Sequence, residues 1–295
     1  MVVTGAGGFV GSAVCRAFAA HGRAFEGWTR ERGDLAAMKD DALARALEGV
    51  TAVLHVAGRA HGTDAAALRR DNVDVTDRLA RAARRAGVAR FVHVSSVKVN
   101  GDRTAPGRPF RPDDPPAPTD AYARSKRDAE RAVLAAGEDG AMAAAILRLP
   151  LVYGPGAPGN FAALVAAVRA GRWLPLGEID NRRHLLGVTN AAAAFAAALD
   201  RPQPLTGVHF VADADSVSTP ELVRAIAAAL GVRPRLGAVP VPLLRGAGAM
   251  LGRAAAIDRL TRSLEVDCSS FVAATGWRPQ SFHIDAATVA DTRGR

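Results

Sequence analysis

The sequence predicts an α/β protein with a doubly wound parallel sheet and a smaller C-terminal lobe. Three observations support this. Short apolar runs alternate with helical patterns along the first two-thirds of the chain, a glycine-rich turn joins the first run to the first helix, and the alternation weakens after Pro155. Strands separated by helices pair in parallel, because each crossover helix returns the chain to the same edge of the sheet.

The apolar runs predict the strands in order, at residues 1–4, 24–29, 52–56, 90–95, 144–149 and 207–212. The amphipathic stretches predict helices at residues 12–20, 73–86 and 122–136. Residues 102–120 are rich in Pro and Asp and predict a loop. The stretch between Thr29 and Gly33 is short, which predicts a vestigial third strand. We therefore expect residues 1–155 and 185–213 to form the domain that contains the parallel sheet, and residues 156–184 and 214–295 the smaller lobe.

The composition excludes several classes of protein. Two cysteines, Cys15 and Cys268, form neither a disulfide framework nor a metal spacing, and the seven histidines are dispersed, so no metal site is expected. The formal charge of +9 is scattered at helical spacing and aromatics make up only 5%, which argues against nucleic-acid binding. A positive field would attract anionic substrates. The longest apolar stretch, residues 238–257, is interrupted by arginines, so we expect a cytoplasmic protein without a membrane span.

A glycine turn follows the first strand and opens the first helix. Gly5, Gly8 and Gly11 are spaced three apart, with Phe9 and Val10 between the last two. Glycine permits a tight turn and close approach to a pyrophosphate, while the helix N-terminus offers free N–H groups to the phosphates. The motif therefore predicts a Rossmann domain that binds NAD or NADP.

The end of the second strand bears on the choice between these cofactors. An acid at this position would bind the adenosine ribose of NAD, but the sequence has Thr29, followed by Arg30 and Arg32. Guanidinium groups here slightly favour the 2′-phosphate of NADP, unless both arginines are simply exposed.

A second motif predicts the chemistry. Tyr122 and Lys126 lie four residues apart at the start of a predicted helix, so both face one side. A lysine ammonium beside a phenol favours tyrosinate, which can exchange a proton with a substrate hydroxyl while hydride moves to or from nicotinamide. The spacing alone is common by chance. Ser96, at the end of a strand 26 residues upstream of Tyr122, supplies a third group for the same substrate oxygen.

Together these residues resemble the extended short-chain dehydrogenase/reductase family, specifically its NAD-dependent epimerase/dehydratase group. The resemblance covers nearly the whole chain, through TGAGGFVG at 4–11, GDL at 33–35, VLHVAG at 53–58, NVDVT at 72–76, RFVHVSS at 90–96, YARSK at 122–126, LVYGPG at 151–156 and ATGWRP at 274–279. It implies that Ser96, Tyr122 and Lys126 are catalytic. It also implies cofactor contacts from Thr29, Arg30, Asp34, Leu35, Val56, Ala57, Gly58, Asn72 and Pro150, and substrate contacts from Lys98, Asn160, Arg183 and Arg259.

Departures from the family pattern narrow the reaction. Sugar-nucleotide dehydratases place an Asp-Glu pair where this chain has Val97 and Lys98, so elimination is not expected. The runs SSVKVNG, GNF and DNRRHLL resemble a subgroup described as UDP-glucose 4-epimerase-like. That subgroup includes reductases of UDP-4-keto-6-deoxy-N-acetylhexosamine in surface-polysaccharide synthesis. We therefore expect hydride transfer at the sugar C4 of a UDP-sugar, by a 4-epimerase or a 4-keto reductase.

Two further expectations concern the alternatives and assembly. A non-catalytic nucleotide-sensing Rossmann protein is the competing class, but such proteins usually lack the Ser, Tyr and Lys retained here.

Many relatives form a homodimer through two helices per subunit, and the matching helices are 73–86 and 122–136. The positions proposed for that interface are Leu79, Ala82, Ala83, Ala129, Val133 and Leu134; alternatively, they only pack on the sheet.

Overall fold

A computed structural model describes residues 1–31, 34–60, 62–105, 107–252 and 254–290. Its main feature is a six-stranded parallel sheet of order β2-β1-β3-β4-β5-β8, and β6, β7 and β9 form a second, three-stranded sheet. The strands are β1 Val2–Thr4, β2 Glu26–Trp28, β3 Ala52–His55, β4 Arg90–Ser96, β5 Ala143–Leu149, β6 Leu151–Tyr153, β7 Arg183–Gly187, β8 Gly207–Phe210 and β9 Ser216–Val217.

The helices connect these strands. They are α1 Phe9–Ala20, α2 Asp40–Ala46, α3 Ala65–Leu68, α4 Val75–Arg85, α5 Ala121–Ala136, α6 Asn160–Arg169, α7 Val188–Asp200, α8 Thr219–Ala229, α9 Val241–Met250, α10 Ala254–Thr261, α11 Ser269–Thr275 and α12 Ala286–Ala290. A π-helical turn, Arg69–Asp74, precedes α4, and a 3₁₀ turn, Val97–Val99, follows β4.

The order in which strands are added to the sheet reverses beside β1, and this reversal determines where the cleft lies. From β1 the chain crosses to β2 on one side, and β3 then pairs with β1 on the other, with Val3 opposite both Gly27 and Leu54. In open α/β sheets ligands bind outside the carboxyl ends of the strands at such a switch point. Thr4, His55 and Ser96 end the strands β1, β3 and β4 at this edge.

Two hydrophobic clusters cover the two faces of the sheet, as a doubly wound fold requires. On one face α1 packs against α7, with Phe18 and Phe195 buried between helix and sheet. On the other face α2, α4 and α5 cover the sheet, with Leu43, Leu79 and Val133 fully buried. The predicted fold class is confirmed.

The C-terminal part has its own cluster, in which Phe161 and Val165 of α6 pack with Val223 and Ile226 of α8. Sequence analysis missed the small sheet next to it, because its strands of two to five residues are too short to show a pattern. The division of the chain at residues 155, 185 and 213 stays a prediction.

One predicted helix needs correction, and several helices were missed, among them α2 and α7. The helix predicted at 73–86 begins earlier, as a π-helical turn, and becomes α-helical only at Val75. Helix α2 was missed because it spans only seven residues. Helix α7 was not assigned because its Ala-rich sequence lacks a polar face; eight of its thirteen residues, Phe195 among them, are buried. No helix in the described ranges is long and apolar enough to cross a membrane.

The helix positions proposed for a dimer interface are largely used inside the chain. Leu79, Ala82 and Ala83 of α4 and Ala129 and Val133 of α5 are fully buried in the single chain. The exposed positions of these helices carry charge instead, for example Arg81 and Arg131. The apolar pattern of these helices is therefore explained by their packing on the sheet. The homodimer stays a prediction, and these residues no longer support it.

Candidate active site

One continuous cleft of about 1970 Å³ runs along the carboxyl edge of the sheet and under the C-terminal helices. A single small ligand usually occupies about 300–1,000 Å³, so the cleft has room for two. Every residue predicted to bind or react lines it: Gly5, Gly8, Phe9, Val10, Gly11, Thr29, Arg30, Asp34, Leu35, Val56, Ala57, Gly58, Asn72, Ser96, Lys98, Tyr122, Lys126, Pro150, Asn160, Arg183 and Arg259. Arg32 and Gly33 lie outside the described residues.

The glycine turn is too tight for side chains at two positions. Gly5 has φ +71°, and a Cβ there would lie 2.7 Å from the Ala57 nitrogen. A Cβ on Gly11 would lie 2.1 Å from the Gly5 carbonyl oxygen. Helix α1 then begins at Phe9 with no side-chain cap and no acid in its first turn. Its free N–H groups and positive dipole end face the cleft, which suits a pyrophosphate.

Ser96, Tyr122 and Lys126 come together beside this turn. Ser96 ends β4, and Tyr122 and Lys126 lie one helical turn apart on α5. Burial raises the pKa of Tyr122 to about 12, and the neighbouring Ser96 hydroxyl opposes that rise. Tyr122 is therefore a phenol until a nearby positive charge lowers its pKa.

Lys126 is buried beneath the tyrosine and held from the strand side. Its Nζ donates to the Val94 carbonyl at 2.7 Å and lies 3.1 Å from His93 Nε2. Burial lowers the pKa of Lys126 to about 8, while the negative charge of Glu130 opposes the fall. Near neutral pH the side chain is an ammonium with one N–H left for the cleft.

Asn72 connects this helix to the opposite wall. The π-helical turn presents its buried side chain, which donates to Ser125 Oγ at 2.9 Å and accepts from the Arg59 backbone N–H at 2.6 Å. Gly58 lies against it, since a Cβ there would be 3.0 Å from Asn72 Oδ1. π-turns often occur at functional sites, and here the turn fixes α5 relative to the 56–59 segment.

Lys98 extends over the tyrosine from the 3₁₀ turn after β4. Its Nζ lies 5.9 Å from the centre of the Tyr122 ring, pairs with Asp120 and is 3.7 Å from Asp102. Asp120 also caps α5 by accepting from the Ala123 N–H. Burial would raise the pKa of Asp120, but hydrogen bonds from Lys98 and Ala123 lower it overall. A charge pair therefore sits at the mouth of the site.

Two arginines stand together in the substrate end of the cleft. Burial lowers the pKa of Arg183 to about 10; nearby Asp102 opposes this and Arg259 adds to it. Arg183 donates to the Arg262 carbonyl at 2.8 Å, which holds it in place. Two neighbouring guanidinium groups repel each other, so an anion that contacts both would be favoured.

Sequence reasoning missed a buried ion pair behind the site. Arg148 of β5 makes two hydrogen bonds to Glu130 of α5, at 3.0 and 2.6 Å, and a third to Asn100 at 2.8 Å. Glu130 also accepts from Ser95. The available signal was the spacing of Glu130, which lies four residues after Lys126 on the same helix face.

The adenosine end of the cleft combines opposite charges. Strand β2 is shorter than the predicted strand at 24–29, so Thr29 follows it instead of ending it, and Thr29, Arg30 and Glu31 all line this part of the cleft. Asp34 and Leu35 lie next along it, and Asp34 accepts a hydrogen bond from the Ala36 N–H. A carboxylate near Arg30 weakens the argument that this end attracts a 2′-phosphate.

The doubly wound fold and this cleft define a Rossmann-type dinucleotide-binding protein. Residues 1–212 match the model of the NAD dependent epimerase/dehydratase family. A UDP-glucose 4-epimerase of Vibrio cholerae is 38% identical over 261 residues, covering 86% of this chain and 79% of that protein. A 2-alkyl-3-oxoalkanoate reductase of Stenotrophomonas maltophilia is 31% identical, over 80% of this chain and 77% of that protein.

A solved structure shows the same architecture. MoeE5 in complex with UDP-glucose and NAD superimposes with a TM-score of 0.76 and 26% identity, covering 99% of this chain and 96% of that one. The chain belongs to the NAD dependent epimerase/dehydratase family.

Proposed function

We propose that this chain is an NAD(P)-dependent oxidoreductase that transfers hydride at C4 of a UDP-sugar, as a 4-epimerase or a 4-keto reductase. The observation that carries the proposal is one shared cleft. Ser96, Tyr122 and Lys126 line the same cleft as the arginine pair Arg183 and Arg259. The similarity to the Vibrio cholerae epimerase supports a UDP-sugar as the substrate.

The chain's residues would divide the work as follows. The Tyr122 phenol exchanges a proton with the sugar C4 oxygen, and the Ser96 hydroxyl hydrogen-bonds the same oxygen. The Lys126 ammonium stabilises the tyrosinate form. Bound nicotinamide supplies the hydride acceptor or donor. Arg183 and Arg259 bind the diphosphate, while Asn160 and Lys98 border the sugar.

The cofactor's own contacts are assigned from the same walls. The glycine turn and the start of α1 would hold the pyrophosphate, and Val56, Ala57, Gly58 and Pro150 would border the nicotinamide half. The MoeE5 complex contains NAD, which supports NAD as a cofactor. The NADP preference predicted from Arg30 gains no support, because Glu31 shares that wall.

A second candidate is reduction of a ketone on an alkyl chain. The relative from Stenotrophomonas maltophilia carries that activity in its name. Apolar side chains line the substrate end of this cleft, including Phe161, Leu164, Leu174, Leu222, Ile257 and Leu260. The half-buried Arg183 at the same end favours the nucleotide-sugar proposal instead, because an alkyl chain gives it no anion to bind.

One incubation experiment separates these possibilities. The purified chain is mixed with UDP-glucose, UDP-N-acetylglucosamine, a 4-keto UDP-sugar or a 2-alkyl-3-oxoalkanoate, with and without NADH or NADPH, and products are identified by NMR. A 4-epimerase converts UDP-sugars without net use of reduced cofactor, whereas a reductase consumes it in equal amount. Cofactor binding without turnover of any substrate would favour the non-catalytic nucleotide-sensing alternative.

A further inference from the structure

A histidine below the active site has one nitrogen turned to Lys126 and the other unpaired. His93 of β4 is fully buried, and its Nε2 lies 3.1 Å from Lys126 Nζ. Within the described part of the chain, no group hydrogen-bonds its Nδ1. The adjacent His55, whose ring lies 5.1 Å away, is bonded through both nitrogens, to Thr4 at 2.7 Å and Thr76 at 2.9 Å.

We propose that His93 is a positioning residue for Lys126: its Nε2 accepts one ammonium N–H while the Val94 carbonyl accepts a second, leaving the third for the cleft. The role of Lys126 in turnover rests on the proposed function, but the contact with His93 does not. A buried unpaired N–H or ring nitrogen is unfavourable. The ring leaves Nδ1 without a hydrogen bond while Nε2 faces Lys126. We therefore infer that the contact with Lys126 sets the orientation of the ring.

The protonation states follow from what an ammonium can do. It has three donors and no acceptor, so Nε2 must be the bare nitrogen while Lys126 is charged, and the ring proton lies on Nδ1. Burial lowers the pKa of His93 well below its ordinary value, and the charge of Lys126 lowers it further. His93 is therefore a neutral acceptor at neutral pH.

Besides the Val94 carbonyl, His93 is the strand-side acceptor for the ammonium, and the neighbouring charged groups do not replace it. From β3, His55 is neutral, because burial lowers its pKa to about 3. From α5, Glu130 attracts Lys126 but is hydrogen-bonded to Arg148 of β5 and to Ser95. Tyr122 lies on the cleft side, and Asn72 is uncharged. Removing the His93 acceptor would therefore make the buried ammonium less favourable.

The chain has only three lysines, Lys39, Lys98 and Lys126, so lysine-selective ¹³C NMR can follow each one. In cofactor-free protein we expect His93→Leu to lower the pKa of Lys126 by about one unit. His93→Gln, which restores an amide acceptor, should return it towards the wild-type value. His209→Leu is the matched control, since His209 is also buried but bonds Thr206 and Ser270. The same Lys126 pKa in all four proteins would overturn the proposal.

A measurement on the unaltered protein covers the case in which His93→Leu does not fold. Imidazole ¹⁵N shifts should show His93 protonated on Nδ1 and bare on Nε2 while Lys126 is charged, and the Nε2 shift should follow the lysine titration. A proton on Nε2 in that range would refute the proposed contact. Neither readout requires substrate, so a failed turnover assay would refute the proposed function without affecting this result.

Discussion

Glu130 and Arg148 form a two-point ion pair, with N···O distances of 3.0 and 2.6 Å, and only 3% and 4% of their side-chain surfaces are exposed. The pair joins the helix that carries Tyr122 and Lys126 to strand β5. Arg148 also donates a hydrogen bond to the Asn100 side-chain oxygen, and the Asn100 amide donates to the Asp114 carbonyl in the 102–120 loop. One buried arginine thus connects the catalytic helix, the sheet and the loop at the mouth of the cleft.

Replacing one member of the Glu130–Arg148 ion pair should destabilise the fold. Arg148→Leu leaves the Glu130 carboxylate buried without its counter-charge, and we expect the free energy of unfolding to fall by about 3–5 kcal/mol. Urea denaturation measures this. The matched control is Arg81→Leu, which breaks the exposed pair with Asp77 and should change stability by less than about 1 kcal/mol. Equal losses in both variants would contradict a special role for the buried pair.

The proton-transfer assignment is tested by the two tyrosines. Tyr122→Phe keeps the ring but removes the hydroxyl, so turnover should fall on the order of 10² to 10⁴-fold while cofactor binding persists. Tyr153→Phe is the control, because the Tyr153 hydroxyl donates to Asp213 at 2.8 Å and the residue packs in the C-terminal hydrophobic cluster. Turnover assays and cofactor titration by fluorescence distinguish the two. Near-normal turnover in Tyr122→Phe would contradict proton transfer by the Tyr122 phenol.

The sequence predicted most of the sheet, and the described residues that it proposed for the site all line the cleft. Turns and helix starts such as Gly5 and Tyr122 have local patterns, since backbone space and side-chain spacing are set within a few residues. The partners of Glu130 and His93 could not be read this way. Arg148 is 18 residues from Glu130, and His93 is 33 residues from Lys126, so only the folded sheet brings each pair together. The π-helical turn that contains Asn72 could not be predicted, because sequence patterns for helices are read at a period of 3.6 residues.

The cofactor preference turns on two adjacent residues of opposite charge. If Arg30 meets a 2′-phosphate, Arg30→Ala should weaken NADPH binding about tenfold or more and leave NADH nearly unchanged. Glu31→Ala should act in the opposite direction, tightening NADPH by removing a nearby repulsive charge. Isothermal titration with both cofactors measures each effect. Equal losses of NADH and NADPH in Arg30→Ala would remove the basis for an NADP preference.

The buried histidines predict acid sensitivity. Burial lowers the pKa of His55 to about 3 and the pKa of His93 well below 6.5, so both stay neutral in the folded chain while the unfolded chain takes up protons below about pH 6.5. Stability is therefore present above that pH and is lost as pH falls towards the folded-state values. Each histidine should cost about 2 kcal/mol between about pH 7.5 and about pH 5.

Variants isolate this contribution from that of the carboxylates. His93→Gln removes one titrating group, so its free energy of unfolding should fall by about 2 kcal/mol less than that of the wild type over the same pH range. Urea denaturation at several pH values gives the slopes directly. If the His93→Gln slope matched the wild-type slope, the ring could not be neutral in the fold, because a histidine charged in both states contributes no pH dependence.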